Sequence, residues 1–333
     1  MYKKIILLLI FIFFSCESSK KPSKGNFNDL VILSSIEDKL ILEKIIDENI
    51  FLDTIFTPEP ESVFNKIWIK PDQFKHYKEY SNLLLISISD PPDETIDVLI
   101  DQISENNNIN SFPIFFNDVY SSNQLISIIK EFNENLFEEN LDTSFRYINS
   151  MIENHSNNLY YQRYKTFPND TSISNLGYKL FNHSFYFRED FKLLKYSELN
   201  NSKYLWVGRG DIYAENSSYQ WLVIKDLNKL IPQDNIELLK LIQNNINEII
   251  PEIEIVTKYS QFSAQENNDY FIYKINALYN HNTYKTGGPL VAFIFKDKKD
   301  QKNKIIFALV NAPGQNKLNA IKELESIVIN SIF

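Results

Sequence analysis

The sequence predicts an α+β protein of two modules, of which the second is an antiparallel sheet covered by helices. Its length of 333 residues is typical of about two domains. Hydrophobic residues make up 44% of the chain, which is enough for packed cores. Strands and helices alternate in the first half, whereas short strands bounded by turn residues dominate the second half. These three observations together indicate the fold class.

The first residues have the pattern of an export signal. Two lysines precede an apolar run at 5–14, and Cys16 follows directly after the small residue Ser15. This run is too short for a membrane-spanning helix, which needs roughly 20 residues, but it suits the apolar region of a secretory signal. The arrangement resembles a bacterial lipoprotein signal, in which Cys16 is acylated and becomes the new N-terminus. A plain cleaved signal and an uncleaved anchor are the alternatives.

This signal leads to a prediction about location. Residues 1–15 are expected to be the lipoprotein signal peptide, and residues 16–26, rich in Ser, Lys, Pro and Gly, a flexible tether. Lipid on Cys16 makes a membrane the first predicted partner. We expect a protein of the cell envelope that is anchored in the outer membrane and faces the periplasm.

The first module is predicted to span residues 27–165 and to combine βα units with a long helical arm. Short apolar runs indicate buried strands, and apolar residues spaced at threes and fours indicate helices. Strands are predicted at Asp29–Leu33, Asp53–Thr57, Lys66–Ile69, Asn82–Ile88 and Pro113–Phe116. Helices are predicted at Ile36–Glu48, at Thr95–Ser104 and from Asn123 to about Tyr161, the last with a break near Asn140–Asp142.

The second module is predicted to span residues 175–333, after a polar linker at Thr166–Ser174. Its predicted helices are Asn235–Ile249, which Pro251 stops, and Asn316–Ile332, which has one apolar face. Its predicted strands are Lys179–Phe187, Lys192–Tyr196, Tyr204–Gly208, Tyr219–Ile224, Glu252–Tyr259, Tyr270–Tyr279, Pro289–Phe295 and Lys304–Asn311.

Several stretches resemble a lipoprotein family known as domain of unknown function 4837. They are the strand Asp29–Leu33, the stretch FKLLKYSELNNSKYLWVGR at Phe191–Arg209, and the ending from Gly287-Gly288-Pro289 through VNAPGQNK to a terminal Leu-Glu-Ser-Ile helix. The resemblance covers most of the chain after Cys16. It implies an envelope lipoprotein with two α+β modules, and it implies no catalytic residues.

Composition and motifs argue against several classes of function. The chain has 34 Lys+Arg against 43 Asp+Glu, and a net charge of −9 does not suit nucleic acid as a partner. It contains no Walker loop, no G-x-G-x-x-G and no G-x-S-x-G. None of the four histidines has the HExxH spacing of zinc proteases, so neither a metal site nor a cofactor is predicted, although distant residues can still assemble a metal site.

Paired carboxylates define the alternative function, an exported hydrolase that acts on peptidoglycan or glycan. Such an enzyme needs two acids that face one cleft, and spacing in the sequence does not show whether any pair does so. The loop 57–61, stiffened by two prolines, carries one such pair, Glu59 and Glu61. It can present both carboxylates to a partner, or it can be a plain connection between strands.

Aromatic and arginine residues supply the other candidate binding positions. Tyr160 and Arg163 lie near the end of the helical arm, and Trp206, Arg209 and Trp221 lie on or beside strands of the second module. Tyrosine, tryptophan and arginine are favoured at interfaces, with ordinary core packing as the alternative. We therefore predict a lipid-anchored protein that binds or assembles with an envelope protein, a peptide or a glycan, without catalysis.

Overall fold

A computed structural model describes ten stretches of the chain: 20–49, 54–57, 60–104, 113–130, 134–199, 203–210, 218–266, 269–283, 285–298 and 303–332. The described residues form two compact units. The first unit lies within Met1–Phe51 and Phe64–Glu153, and the second within Leu52–Val63 and Asn154–Phe333. The predicted signal peptide, Cys16 and Glu59 lie outside the described residues.

The helices and strands of the described residues are numbered here in chain order. The strands are β1 (Asp29–Leu33), β2 (Thr54–Ile55), β3 (Glu61–Ser62), β4 (Asn65–Ile69), β5 (Asn82–Ser87), β6 (Ile114–Asn117), β7 (Leu125–Lys130), β8 (Lys192–Ser197), β9 (Tyr204–Gly210), β10 (Tyr219–Leu227), β11 (Ile253–Glu266), β12 (Tyr270–His281), β13 (Thr286–Asp297) and β14 (Asn303–Asn311). The helices are α1 (Ile36–Asn49), α2 (Phe74–Tyr77), α3 (Glu94–Ser104), α4 (Glu134–Tyr164), α5 (Thr171–Phe181), α6 (Asn235–Asn247) and α7 (Leu318–Ile332). None of these helices is both long enough and apolar enough to cross a membrane.

The first unit is built on a five-stranded sheet in the order β4-β1-β5-β7-β6. Its strands pair in parallel, except that β6 runs antiparallel to β7. Every residue of β1, β5 and β7 is buried. This burial on both faces explains why these strands read as continuous apolar runs instead of alternating patterns.

The helical arm differs from its prediction in two ways. The segment Leu125–Lys130, predicted as the start of this helix, is strand β7 and pairs with β5. A fully buried strand and a buried helical turn share the same apolar run, so periodicity alone did not separate them. The helix proper begins at Glu134 and continues without interruption through the predicted break to Tyr164.

The predicted tether also differs from the structure, because its described part is held in place. The backbone N–H of Lys24 donates to the carbonyl of Glu79 at 2.7 Å, and that of Ser23 donates to Ser122 at 3.0 Å. The Lys24 ammonium also pairs with the Glu79 carboxylate at 2.6 Å. Residues 20–26 are therefore attached to the first unit and are not a flexible tether.

The second unit confirms the predicted α+β class, with an antiparallel sheet that helices cover. Seven strands form this sheet in the order β11-β12-β13-β14-β10-β9-β8. Helix α6 packs into the apolar cluster on one face, through residues that include Leu238 and Ile242. Helix α7 contacts β10, β13 and β14 and contributes nothing to that cluster, so it covers the opposite face.

The region of the predicted linker belongs to the second unit. The division between the units falls after Glu153, within α4, upstream of the predicted linker at 166–174. The strand predicted at Lys179–Phe187 is wrong, because residues up to Phe181 belong to helix α5. Asp170 begins this helix by accepting hydrogen bonds from the N–H groups of Ser172 and Ile173 at 2.9 and 3.0 Å, as an N-cap does.

Packing of α7 on the sheet is testable at Leu324, whose side chain is completely buried. Leu324→Ala is expected to lower the free energy of unfolding by about 2–5 kcal/mol, because it leaves a cavity beneath the helix. Urea unfolding of the full chain measures this change. Leu230→Ala is the control, because Leu230 is 92% exposed. Equal stability of the two variants would show that α7 is peripheral.

Candidate functional site

The candidate site is a cavity of about 150 Å³ in the second unit. Three parts of the chain form it: the end of α4 with the turn after it, the loop before β8, and the first turns of α7. The lining residues are Tyr160, Arg163, Tyr164, Phe167, Arg188, Asn319 and Glu323. This volume holds roughly five water molecules, or a ligand group of a few heavy atoms.

One wall of the cavity is aromatic. Tyr160 and Tyr164 are four residues apart and lie on one side of α4, and Phe167 follows in the turn after this helix. Tyr164 is almost completely buried and meets the rings of Tyr186 and Phe191 edge-on, at centroid distances of 5.9 and 6.5 Å. Phe167, at the rim, is partly exposed. The wall therefore runs from the core to the surface.

Glu323 of α7 lies at the centre of an ion network. One carboxylate oxygen accepts from Arg188 Nη1 at 3.1 Å, and the other accepts from Arg209 Nη2 at 2.7 Å. The second terminal nitrogen of Arg188 donates to Asp190 at 2.8 Å, and Arg209 also donates to the Gln220 side chain at 2.8 Å. Because Glu323 and both arginines are mostly buried, these charge-assisted bonds are stronger than ordinary surface ion pairs.

The Arg188 guanidinium is also fixed by stacking. It lies over the ring of Phe167, 3.7 Å from the centroid, and within 5.7 Å of the Tyr164 centroid. A guanidinium in this position is attracted to the electron-rich faces of the rings. Stacking and ion pairing together hold Arg188 in one orientation at the cavity wall.

Two tyrosine hydroxyls take part in the lining. The Tyr160 hydroxyl donates to Asn319 Oδ1 at 2.8 Å, and the Tyr164 hydroxyl accepts from the backbone N–H of Arg188 at 3.0 Å. Burial raises the pKa of the Tyr164 phenol well above its ordinary value, so this group keeps its proton throughout the physiological range.

The predicted binding residues fall into separate places. Tyr160 and Arg163 line the cavity, and Arg209 lies behind it, joined to it through Glu323. Trp206 and Trp221 lie in or against the core cluster on the α6 face, where their rings meet edge-on at 5.3 Å. Residues alternate between the faces of a strand, so Trp206 and Arg209 point to opposite sides of β9.

The two glycines that flank Arg209 belong to the sheet of the second unit. Gly208 and Gly210 lie within β9. A Cβ atom on Gly208 would stand 2.6 Å from Cδ1 of Trp221, so the absence of a side chain makes room for the indole. The tryptophan pair is therefore part of core packing.

Glu61 binds within the second unit, in a loop for which the sequence left open a surface presented to a partner or a plain connection between strands. Its Oε2 atom accepts hydrogen bonds from the backbone N–H groups of Lys317 and Leu318, and both N···O distances are 2.9 Å. Asn316 Oδ1 accepts from Leu318 as well, at 3.0 Å. A carboxylate at this position satisfies free N–H groups and interacts favourably with the helix dipole. Glu61 therefore caps the helix that supplies one side of the cavity.

Sequence reasoning missed Arg188, Glu323, Asn319 and Phe167. The chain has four arginines, and this small number was the one weak sign in the sequence that Arg188 has a specific role. Glu323 is 135 residues away from Arg188 in the sequence, and no motif around it indicates that the two residues pair. Among the residues that the structure describes, no group of three or more His, Cys, Asp or Glu side chains is placed to hold a metal ion.

The fold and cavity define an α+β protein whose second unit encloses a small pocket of arginine and aromatic residues. Residues 181–330 match the family model described as Domain of unknown function (DUF4837), which confirms the predicted resemblance over most of that unit. No curated protein sequence matches the chain. A solved structure titled "Crystal structure of LpqN involved in cell envelope biogenesis of Mycobacterium tuberculosis" is similar at 11% identity and a TM-score of 0.27, over 44% of this chain and 79% of that one. A likeness this weak carries no functional argument.

The helix cap predicts a contribution of Glu61 to stability. Glu61→Ala removes the carboxylate from the N-terminus of α7 and is expected to cost about 1–2 kcal/mol, the range for loss of a cap. Urea unfolding of the full chain measures this cost. Glu254→Ala, which removes an exposed carboxylate from β11, is the control. If both variants unfold at the same urea concentration, the cap does not contribute.

Proposed function

We propose that the protein is a lipid-anchored protein of the cell envelope whose second unit binds a small ligand without catalysing a reaction. The observation that carries the binding role is the cavity itself. It combines a buried aromatic wall with polar groups held in fixed orientations, as ligand sites do. An envelope protein, a peptide or a glycan can supply the bound group.

The alternative, a hydrolase with an acid pair, has less support. Glycoside hydrolysis by two carboxylates requires them to face each other across roughly 5–10 Å. Among the described residues that line the cavity, Glu323 is the one carboxylate. Its two oxygens each accept from an arginine, which holds the carboxylate in one orientation at the wall. This arrangement suits a fixed structural charge better than a catalytic acid or base.

The proposed anchor rests on the start of the sequence. A positive head, a short apolar run and a cysteine after a small residue suit a lipoprotein signal. The apolar run is too short to span a membrane, so firm attachment would come from acyl chains on Cys16. Each buried CH₂ contributes about 0.8 kcal/mol, and two chains are needed for stable anchoring. The match to the DUF4837 family supports the same assignment through the resemblance noted above.

Cys16→Ser is expected to abolish acylation and to release mature protein from the membrane, or to leave uncleaved precursor. Growth with an acyl-chain probe, followed by fractionation of the cells, measures both effects. The matched control combines Cys16→Ser with Ser18→Cys, which keeps one cysteine in the chain but moves it away from Ser15. This double variant should also remain unlabelled. An unlabelled wild type, or a labelled Cys16→Ser variant, would contradict the lipid anchor.

A further inference from the structure

We infer that a lysine-rich surface of the first unit docks on the anionic headgroups of the membrane that holds the lipid anchor. This lysine surface consists of Lys20, Lys21, Lys24 and Lys78, with the rings of Tyr80 and Tyr120 beside them. The inference rests on the anchor proposed above and names the surface that the anchor brings to the membrane. It follows from the short chain after Cys16, from the charge of the surface and from its aromatic rings.

The segment that follows the predicted anchor is bound across one end of the first sheet. The backbone N–H of Ser122 donates to the carbonyl of Lys21 at 2.9 Å, and that of Ser81 donates to the carbonyl of Lys24 at 3.2 Å. Ser81 directly precedes β5, and Ser122 lies shortly before β7. Because β5 and β7 pair in parallel, both begin at the same end of the sheet. Residues 21–24 therefore run across that end.

The chain between Cys16 and this segment is short. An extended chain spans at most about 3.6 Å per residue, so the four links from Cys16 to Lys20 reach about 14 Å. Acyl chains on Cys16 would therefore hold the lysine surface within about 14 Å of the lipid headgroups. Attraction between charges in physiological salt extends over a Debye length of about 8 Å. A tether this short keeps the surface at a high effective concentration near the membrane, so a weak attraction is enough to dock it.

The lysines of this surface lie close together and are accessible. Lys20, Lys21 and Lys24 are exposed, and Lys78 is half-buried. The pKa of the Glu79 carboxyl is lowered from its ordinary value, mainly by its hydrogen bond and ion pair with Lys24. The charges of Lys21 and Lys78 lower it further, so three ammonium groups lie around one carboxylate.

Three of the four ammonium groups have no carboxylate at ion-pair distance among the described residues. Lys20 Nζ donates to the main-chain carbonyl of Val119 at 2.9 Å. Lys78 Nζ lies 5.4 Å from the centroid of the Tyr120 ring. Lys21 is exposed and, within the described part of the chain, forms no ion pair. Anionic headgroups would supply the negative charge that these groups lack.

The carboxylates near the surface do not cancel its charge. Glu79 is already paired with Lys24 at 2.6 Å. Asp29 is buried and accepts hydrogen bonds within the first unit. Asp118 is exposed. The accessible groups of the surface are therefore four ammonium groups beside the carboxylates of Glu79 and Asp118, although the whole chain carries a net charge of −9.

The aromatic rings favour a lipid surface over a free anion in solution. Tyr80 and Tyr120 are partly exposed. The ring of Tyr80 lies 5.2 Å from that of Tyr77, and the ring of Tyr120 meets that of Phe74 edge-on at 5.7 Å. A tyrosine has an apolar body and a polar tip, a combination that suits the headgroup region of a membrane. A small soluble anion would need the lysines alone.

Amine labelling of the protein on vesicles tests the inference. Full-chain protein purified from membranes is added to preformed vesicles of phosphatidylcholine alone, or of three parts phosphatidylcholine to one part phosphatidylglycerol. Flotation shows whether the protein is bound to each kind of vesicle. A neutral acetylating reagent then labels the amines, and mass spectrometry measures the rate at each lysine. Neither lipid carries a reactive amine.

Lys21 and Lys78 are expected to react about threefold more slowly on the anionic vesicles, because the negative surface potential keeps amines at the headgroups protonated and unreactive. Lys70 is the control within the same protein. It is an exposed lysine of the same unit, but it follows the end of β4, which runs parallel to β1, and so lies at the opposite end of the sheet. Its rate should be equal on the two kinds of vesicle.

A charge reversal links the slowing to the lysines. Lys21→Glu changes an exposed side chain and keeps the main-chain carbonyl that accepts from Ser122, so the variant is expected to fold. It should remove at least half of the slowing at Lys78, measured as the ratio of the rates on the two kinds of vesicle. Lys70→Glu makes the same change at the opposite end of the sheet and should leave this ratio unaltered.

The outcomes separate this inference from the lipid anchor. Failure of the protein to float with either kind of vesicle would overturn the anchor and the inference with it. Protein that floats with both, but whose Lys21 and Lys78 react equally fast on both, would overturn the docking surface and leave the anchor intact. Equal slowing at Lys70, or equal effects of Lys21→Glu and Lys70→Glu, would show that the lysine surface is not what docks and would also overturn the inference.

Discussion

The bridge that Glu323 makes between Arg188 and Arg209 is the interaction on which the candidate site depends. It joins three elements that are distant in sequence, namely helix α7, the loop before β8 and strand β9. Each guanidinium is mostly buried, so removal of the Glu323 carboxylate would leave two poorly solvated charges with the partly exposed carboxylate of Asp190 alone. The bridge therefore fixes Arg188 at the cavity wall and fixes α7 over the end of the sheet.

Helix α7 connects the stability of the second unit to its candidate function. Its apolar residues pack on the sheet, with Leu324 completely buried. Its N-terminus is capped by Glu61, from a segment more than 250 residues earlier in the chain. Its first turns supply Asn319 and Glu323 to the cavity. A change at either end of this helix is thus expected to affect the pocket as well as the fold.

Patterns that depend on neighbouring residues predicted most strands and helices of the fold. The strands of the second sheet follow from short runs bounded by turns, and α7 follows from its apolar face. The pattern misled at Leu125–Lys130, where burial on both faces removed the alternation that marks a strand. It also misled at Lys179–Phe187, where the N-cap at Asp170 outweighed the apolar run.

The site was harder to predict than the fold, because its contacts join distant parts of the chain. Their residue types, near the end of the helical arm, brought Tyr160 and Arg163 forward as candidates, and both line the cavity. Glu323 and Arg188 meet only through the tertiary fold, so spacing in the sequence carries no sign of their pairing. Composition likewise did not separate the buried indole of Trp221 from a binding aromatic.

The most direct test of this account is the unfolding free energy of Glu323→Gln compared with that of Glu189→Gln, measured by urea unfolding of the full chain. The first substitution keeps the size of the side chain but removes the more buried of the two carboxylates, Glu323 and Asp190, that pair with Arg188 and Arg209. The account predicts a loss of about 2 kcal/mol for Glu323→Gln, between the values of exposed and fully buried pairs. The exposed Glu189 should give a change below about 0.5 kcal/mol. Equal stability of the two variants would contradict the central role of the Glu323 bridge.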